Sequence, residues 1–171
     1  MDYQTARYTA ECARWYAASG DESYKEKAYR SLNFVTYCSD PDGKAYESIL
    51  SNGISNWWSD CYGEGPRMFY RAFAAIPAWS PPGEDHILYS ESILKDVRYK
   101  QKTVSYATEE ETAIDYLHLG FKPSSVTLNG KELAEKNPTA LQGYLLKAIG
   151  HGDFSLQIHR QEKGRVLISG Q

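Results

Sequence analysis

Asp60 and Glu64 stand four residues apart among aromatic rings in Asn56-Trp57-Trp58-Ser59-Asp60-Cys61-Tyr62-Gly63-Glu64-Gly65-Pro66-Arg67, the most chemically crowded stretch of this sequence. Two carboxylates flanking one bond are the acid and base pair of glycoside hydrolysis. On a continuous helix this spacing brings their β-carbons to about 6 Å on one face. Gly63 and Gly65 work against a continuous helix, which keeps a plainer alternative open. In that alternative Glu64 is favoured by the positive end of a helix starting here, and Asp60 stabilises a turn. Trp57 and Trp58 are candidates to stack on a flat partly apolar ligand, or to divide between a core and a lid, and Tyr62 adds a third ring. Arg67 can pair with either carboxylate or bind a substrate carboxylate bidentately.

The element that must position this group is a helix. Pro66 suits a first helical turn, where its missing N–H costs nothing, and in Met68 to Ile76 the residues Phe69, Ala72, Phe73 and Ile76 share one face. The glycines before it let the backbone bend, so the unpaired N–H groups at the helix start can meet an anion or a hydroxyl-rich ligand.

Other chemistries have less to stand on. The three cysteines, Cys12, Cys38 and Cys61, are widely spaced with no Cys-x-x-Cys pair, which argues against a disulfide framework and a zinc cluster. The four histidines, His86, His118, His151 and His159, show no two-histidine helical spacing, so no metal or other cofactor is expected. Ser/His/Asp catalysis has no nucleophile motif, and no glycine-rich phosphate loop follows a strand. A net charge of −3, with lysines interspersed among acids, gives no basic field for nucleic acid. No run approaches the roughly 20 apolar residues that span a bilayer. Met-Asp-Tyr-Gln-Thr at the start lacks the regions of a signal peptide, so neither membrane nor export is indicated and the compartment stays unassigned. Fourteen tyrosines and four tryptophans are the unusual total, and rings with polar tips suit both half-buried sheet positions and sugar stacking.

Along the chain, Thr5 to Ser19 predicts a helix with Ala6, Ala10, Ala13 and Ala17 on one stripe and Tyr8, Cys12 and Trp15 on a second. Arg7, Glu11 and Arg14 lie on the opposite face, spaced to pair in solvent. Gly20 ends this helix and Asp21 caps the next, which runs from Glu22 to about Tyr37 and buries Tyr24, Ala28, Leu32 and Val35. Asp40-Pro41-Asp42-Gly43 stops the pattern, and a connecting loop leads to Asn56. Ile76 to Gly83 is too rich in proline for regular structure and divides the chain, though its apolar character predicts two halves packed together rather than tethered.

From Asp85 short alternating runs predict strands at 86–91, 96–100, 103–107, 112–119, 125–128, 144–149, 154–159 and 165–169. Asn129-Gly130 marks a tight hairpin, and Phe154, Leu156 and Ile158 alternate with Ser155, Gln157 and His159 as one buried and one wet face. Glu109-Glu110-Glu111 predicts a solvated loop. The fold class expected is α+β: an N-terminal α-helical hairpin plus a third helix over 1–80, then an antiparallel β-sandwich over 85–171.

Three features together resemble the C-terminal end of a bacterial six-hairpin, or (α/α)6-toroid, carbohydrate-active protein. They are the helix pair from Ala6 to Asn33, the Trp57 to Arg67 segment with its closing helix, and Leu119-Gly120-Phe121-Lys122-Pro123-Ser124-Ser125-Val126-Thr127-Leu128-Asn129-Gly130-Lys131, which is similar to the β-domain following the toroid. The resemblance implies a poly- or oligosaccharide partner and a part in glycoside hydrolysis or polysaccharide lysis. Twelve helices of about 12 residues joined by loops of about 5 need on the order of 200 residues, so the helical half does not close a toroid alone. The expectation is a chain not catalytic in isolation, whose open helix faces dock on a missing N-terminal toroid or self-associate. A non-catalytic glycan-binding or protein-interaction module is the alternative.

Overall fold

The computed structural model describes residues 2–37, 64–135 and 141–170, and these divide into two compact units, Met1–Ile76 and Pro77–Gln171. The first unit is helical: α1 (Asp2–Ser19), α2 (Glu22–Thr36) and α3 (Glu64–Ala75). α1 packs against both of the others. Its alanine stripe is why: Ala6, Ala10 and Ala13 are almost fully buried, and Ala6 and Ala10 meet Val35 of α2 and Met68 of α3. A residue without a γ carbon lets a neighbouring backbone approach closely, so three helices share this seam. Ala17 lies beyond the seam and is exposed.

The second stripe splits. Cys12 is buried, whereas Tyr8 and Trp15 are half exposed, Trp15 leaning on Tyr24 with ring centroids 6.0 Å apart. On α3 the buried face is turned relative to the sequence expectation, because Met68 is fully buried together with Ala72 and Ile76 while Phe69 and Phe73 are only partly covered. Gly20, at φ 73°, donates its N–H to Tyr16 O (2.8 Å) and closes α1. Asp21 Oδ1 then accepts the Ser23 N–H (2.9 Å), which caps α2, and the Ser23 side chain together with that N–H holds the Asp21 carboxyl below its usual range. Arg14 and Glu11 pair at 3.2 Å in solvent. The turn around Pro41, the loop to Asn56, Cys38 and Cys61 lie outside the described residues.

The second unit is an antiparallel sandwich. Its strands are β1 (His86–Ser90), β2 (Leu94–Lys100), β3 (Thr103–Thr108), β4 (Thr112–Leu119), β5 (Pro123–Leu128), β6 (Lys131–Glu132), β7 (Gly143–Gly150), β8 (Asp153–Gln161) and β9 (Arg165–Gly170). One sheet has the order β1-β4-β8-β7 and the other β2-β3-β9-β5-β6. Period-two alternation sends one face of each sheet inward. Leu117, Leu119, Leu156 and Ile158 of the first sheet join Val104, Tyr106, Val126, Leu128, Val166 and Ile168 of the second in one core. Asn129 and Gly130, both at left-handed φ (53° and 76°), make the hairpin between β5 and β6, with Leu128 paired to Lys131.

Two expectations are refined. The 76–83 stretch contains one turn of 3₁₀ helix, Pro77–Trp79, and the Glu109 to Glu111 loop has a structural task in its centre. Glu110 accepts from Ser92 Oγ and from the Ile93 N–H (2.7 Å), bonds that hold its carboxyl below the usual range, while Glu109 pairs with Lys95 at 2.8 Å. Among the described residues no helix is long and apolar enough to cross a membrane.

Candidate functional site

Trp57, Trp58, Asp60 and Tyr62 lie outside the described residues. Glu64 is the first residue of α3, Pro66 falls in its first turn, and Arg67 is exposed there. The described part of the expected saccharide-facing segment is therefore a helix entrance carrying Glu64 and Arg67.

Within the sandwich unit a different group comes together, and it begins with the backbone. After the 3₁₀ turn, the Ser80 N–H returns to Pro77 O (3.1 Å), and the Ser80 hydroxyl also reaches that carbonyl at 2.6 Å. This puts Ser80 Oγ in a short hydrogen bond with His118 Nδ1 near the end of β4. His118 Nε2 lies 2.9 Å from Asp153 Oδ2 at the start of β8, and the same oxygen accepts the Gly83 N–H at 2.8 Å. Ser80, His118 and Asp153 are 4%, 1% and 3% exposed. Sequence reasoning finds no nucleophile motif for this chemistry, yet the fold brings Ser, His and Asp side chains into one chain of hydrogen bonds.

The loop that carries Ser80 is held from several sides. Gly120 donates its N–H to Asp85 Oδ1 (2.9 Å), and a Cβ at Gly120 would lie 3.0 Å from the Gly83 backbone, so a side chain there would require that backbone to shift. Opposite, the β7–β8 hairpin turns through His151 and Gly152, at φ 54° and 84°. Between them is a partly open recess of ≈ 90 Å³ lined by Ser80, His118 and Asp153 with Ala78, Ile149, Gly150 and His151. Its floor is the buried triad, and Ala78, Gly150 and His151 at its rim are exposed.

Proton accounting defines what this chain of bonds can do. With Nε2–H donating to Asp153, a neutral His118 presents a lone pair at Nδ1 that receives the Ser80 hydroxyl proton, and Pro77 O keeps the Ser80 amide. With His118 doubly protonated, Nδ1–H donates into Ser80 Oγ and the hydroxyl turns to Pro77 O. Both states satisfy every buried group when the second proton of His118 comes from outside the pair. When it comes from Ser80 itself, the alkoxide left behind accepts from Nδ1–H while Pro77 O keeps the Ser80 N–H, and the alkoxide charge is removed as Oγ bonds to an electrophile.

A second buried network fills one end of the core. Asp115 accepts from Arg160 Nε (2.8 Å) and Nη2 (3.2 Å), from the Tyr106 hydroxyl (2.9 Å) and from Ser90 Oγ (2.6 Å). Arg160 Nη1 donates to Thr108 Oγ1 (3.0 Å) and to Glu110 O (2.9 Å). Arg160, Asp115 and Tyr106 are all completely inaccessible. Burial, with the Asp115 charge adding to it, pushes the Tyr106 hydroxyl well above its ordinary range.

The chain is without a match. Comparison with protein-family models, curated proteins and solved structures finds none that is similar to it.

Among the described residues no group of three His, Cys, Asp or Glu side chains could hold a metal ion. His159 Nε2, on the outward face of β8, is buried without a hydrogen-bond partner. One side chain of β4 marks the Ser80 recess in the structure. His118 continues the outward-facing series Thr112, Ile114 and Tyr116 of β4, and unlike them it is fully buried, which requires a covering segment.

Proposed function

We propose that this chain is the C-terminal portion of a carbohydrate-active protein of glycoside hydrolase or polysaccharide lyase type, and that it does not cleave glycans in isolation. The observation that carries the reading is the order of units: a helical hairpin, a third helix that opens at Glu64 with Arg67 exposed in its first turn, and then a two-sheet antiparallel sandwich. Three described helices are far from the twelve of a closed toroid. Tyr8 and Trp15, at 50% and 56% exposure, are the ring surfaces on which further helices or a sugar can rest. In this reading Trp57, Trp58 and Tyr62 supply stacking, Asp60 and Glu64 the acid and base positions, and Arg67 a bidentate hold on an acidic sugar.

The test is a titration of neutral and uronic-acid oligosaccharides against the folded chain, followed by NMR shifts, with Trp58→Ala and Arg67→Ala beside the wild type. The reading expects weak binding, with shifts around the start of α3, reduced by Trp58→Ala. A uronate-specific response lost in Arg67→Ala favours the lyase type over the hydrolase. Shifts confined to 77–171 move the site to the sandwich and make this a glycan-binding module. No response to any glycan refutes the saccharide reading.

A further inference from the structure

We propose that Ser80 is a nucleophile, and that the recess over Ser80, His118 and Asp153 is an acyl-transfer site for esters of short carboxylic acids. Nothing in this depends on the helical unit or on a saccharide partner, since every residue invoked belongs to 77–171.

Three geometric requirements of such a site are met. The nucleophile is bonded to a base, Ser80 Oγ to His118 Nδ1. The base is oriented by a carboxylate, His118 Nε2 to Asp153 Oδ2 at 2.9 Å, and that carboxylate is itself fixed by the Gly83 N–H at 2.8 Å. The bonded groups face space: a partly open recess of ≈ 90 Å³ adjoins all three. The ring is used in the reverse sense of the familiar serine-protease arrangement, with serine on Nδ1 and the carboxylate on Nε2. The proton logic is unchanged, because a carboxylate that holds N–H on one ring nitrogen leaves the other as the acceptor. The small volume and the floor of buried polar atoms select a short acyl group and leave the alcohol portion at the exposed rim. His151 and the Gly150 backbone, also on the wall, are the groups available to charge developing on the acyl oxygen.

In the first step the Ser80 Oγ–H proton passes to His118 Nδ1 as Oγ bonds to the ester carbonyl carbon. The carbon–oxygen bond to the alcohol then breaks, and the departing alcohol takes the proton from Nδ1. Water repeats the sequence on the Ser80 ester: its proton goes to His118, its oxygen to the acyl carbon, and Ser80 recovers its hydrogen as the acid leaves. Asp153 is a positioning residue, since it acts through His118.

The experiment uses the folded 171-residue chain. It is treated with an alkyl fluorophosphonate and digested, and the modified residue is located by mass spectrometry. Hydrolysis of p-nitrophenyl acetate, butyrate and octanoate is measured in parallel. The expected result is modification at Ser80, acetate turned over faster than octanoate, and a fall of at least 100-fold in kcat/KM for Ser80→Ala with an unchanged circular dichroism spectrum. Asp153→Asn should lower kcat at least tenfold with little change in KM, which loss of a purely structural strut in a still-folded protein does not do. Because labelling is read on the wild type, it does not depend on any variant folding. A folded chain whose Ser80 stays unmodified, or hydrolysis unaffected by Ser80→Ala, overturns the assignment.

Discussion

Replacing Arg160 by Met should destabilise the sandwich severely, and the amount follows from what is left behind. Met keeps most of the buried volume but removes the two N–H bonds to Asp115 and the bonds to Thr108 and the Glu110 carbonyl. Asp115, at 0% exposure, then keeps only the hydroxyls of Tyr106 and Ser90 around its charge. Stripping one partner from a buried ion pair costs about 3–5 kcal/mol. At 0.05–0.15 kcal/mol per residue, a unit spanning 77–171 has roughly 5–14 kcal/mol in total. The variant should therefore lose about a fifth or more of its stability. At about 4–8 °C per kcal/mol, its melting temperature should fall by more than about 12 °C. Urea unfolding, with NMR peak intensities read separately for 77–171 and for the helices, measures it. The diagnostic comparison is Arg160→Met with Asp115→Asn added, which removes the orphaned charge while keeping an acceptor for Tyr106 and Ser90. The double variant should be more stable than Arg160→Met alone. A cost below about 1 kcal/mol for Arg160→Met, or a double variant as unstable as the two single losses summed, refutes the reasoning.

Ala10→Leu forces extra volume into the seam between Ala6, Val35 and Met68 and should cost about 1–3 kcal/mol in the helical transition, leaving that of the sandwich unmoved, as the same resolved urea titration will show. Tyr106 has a folded-state pKa raised above its unfolded value of about 10, so its contribution is complete below that pH. It is lost as pH rises further, because the unfolded chain releases the proton first. Sandwich stability should thus decline above about pH 10, with a shallower slope in Tyr106→Phe; equal slopes would refute this. Asn129→Ala removes a left-handed-tolerant residue and its bonds to the Arg165 N–H (2.9 Å) and Lys163 O (3.1 Å), at a cost of about 1–2 kcal/mol in the same unfolding assay. Gly120→Ala should push the Gly83 backbone away from β4 and slow fluorophosphonate labelling of Ser80 more than it lowers the melting temperature of the sandwich.

Where alternation is uninterrupted the strands are legible from the sequence alone, as in β4 and β8, whose inward residues are apolar except for the paired Asp115 and Arg160. Two departures show what alternation does not carry. β2 begins at Leu94 rather than Asp96 because the pairing with β3 slips between Lys95 and Arg98, around Asp96 at φ 51°, and a bulge breaks the period that reading depends on. β6 is Lys131-Glu132, two exposed polar residues made a strand only by the Asn-Gly turn before them. On α3 the periodicity is right but its phase is not. Met68 wins the buried position because its long flexible side chain fills the gap left by the alanines of α1, which a helical wheel drawn for one helix does not contain.

The recess was illegible for a different reason. Ser80 lies 38 residues from His118, and His118 lies 35 from Asp153, so their meeting depends on the sheet order and on the loop from Pro77 to Gly83 rather than on any local spacing. The sandwich buries a second carboxylate in a similar way, and the contrast separates stability from reactivity. Asp115 is saturated by Arg160, Tyr106 and Ser90 inside a sealed core, so no proton it organises has a substrate to go to. Asp153 holds one imidazole nitrogen and a single backbone amide, and the other imidazole nitrogen holds a hydroxyl at the floor of a recess with an exposed rim. When the Ser80 proton moves to Nδ1, the oxygen left behind accepts from Nδ1–H and Nε2–H stays on Asp153, so each ring nitrogen keeps its partner. A change of charge on His118 is thus accommodated in place, whereas the same change at Asp115 would leave Arg160 without its counter-charge and unravel the core.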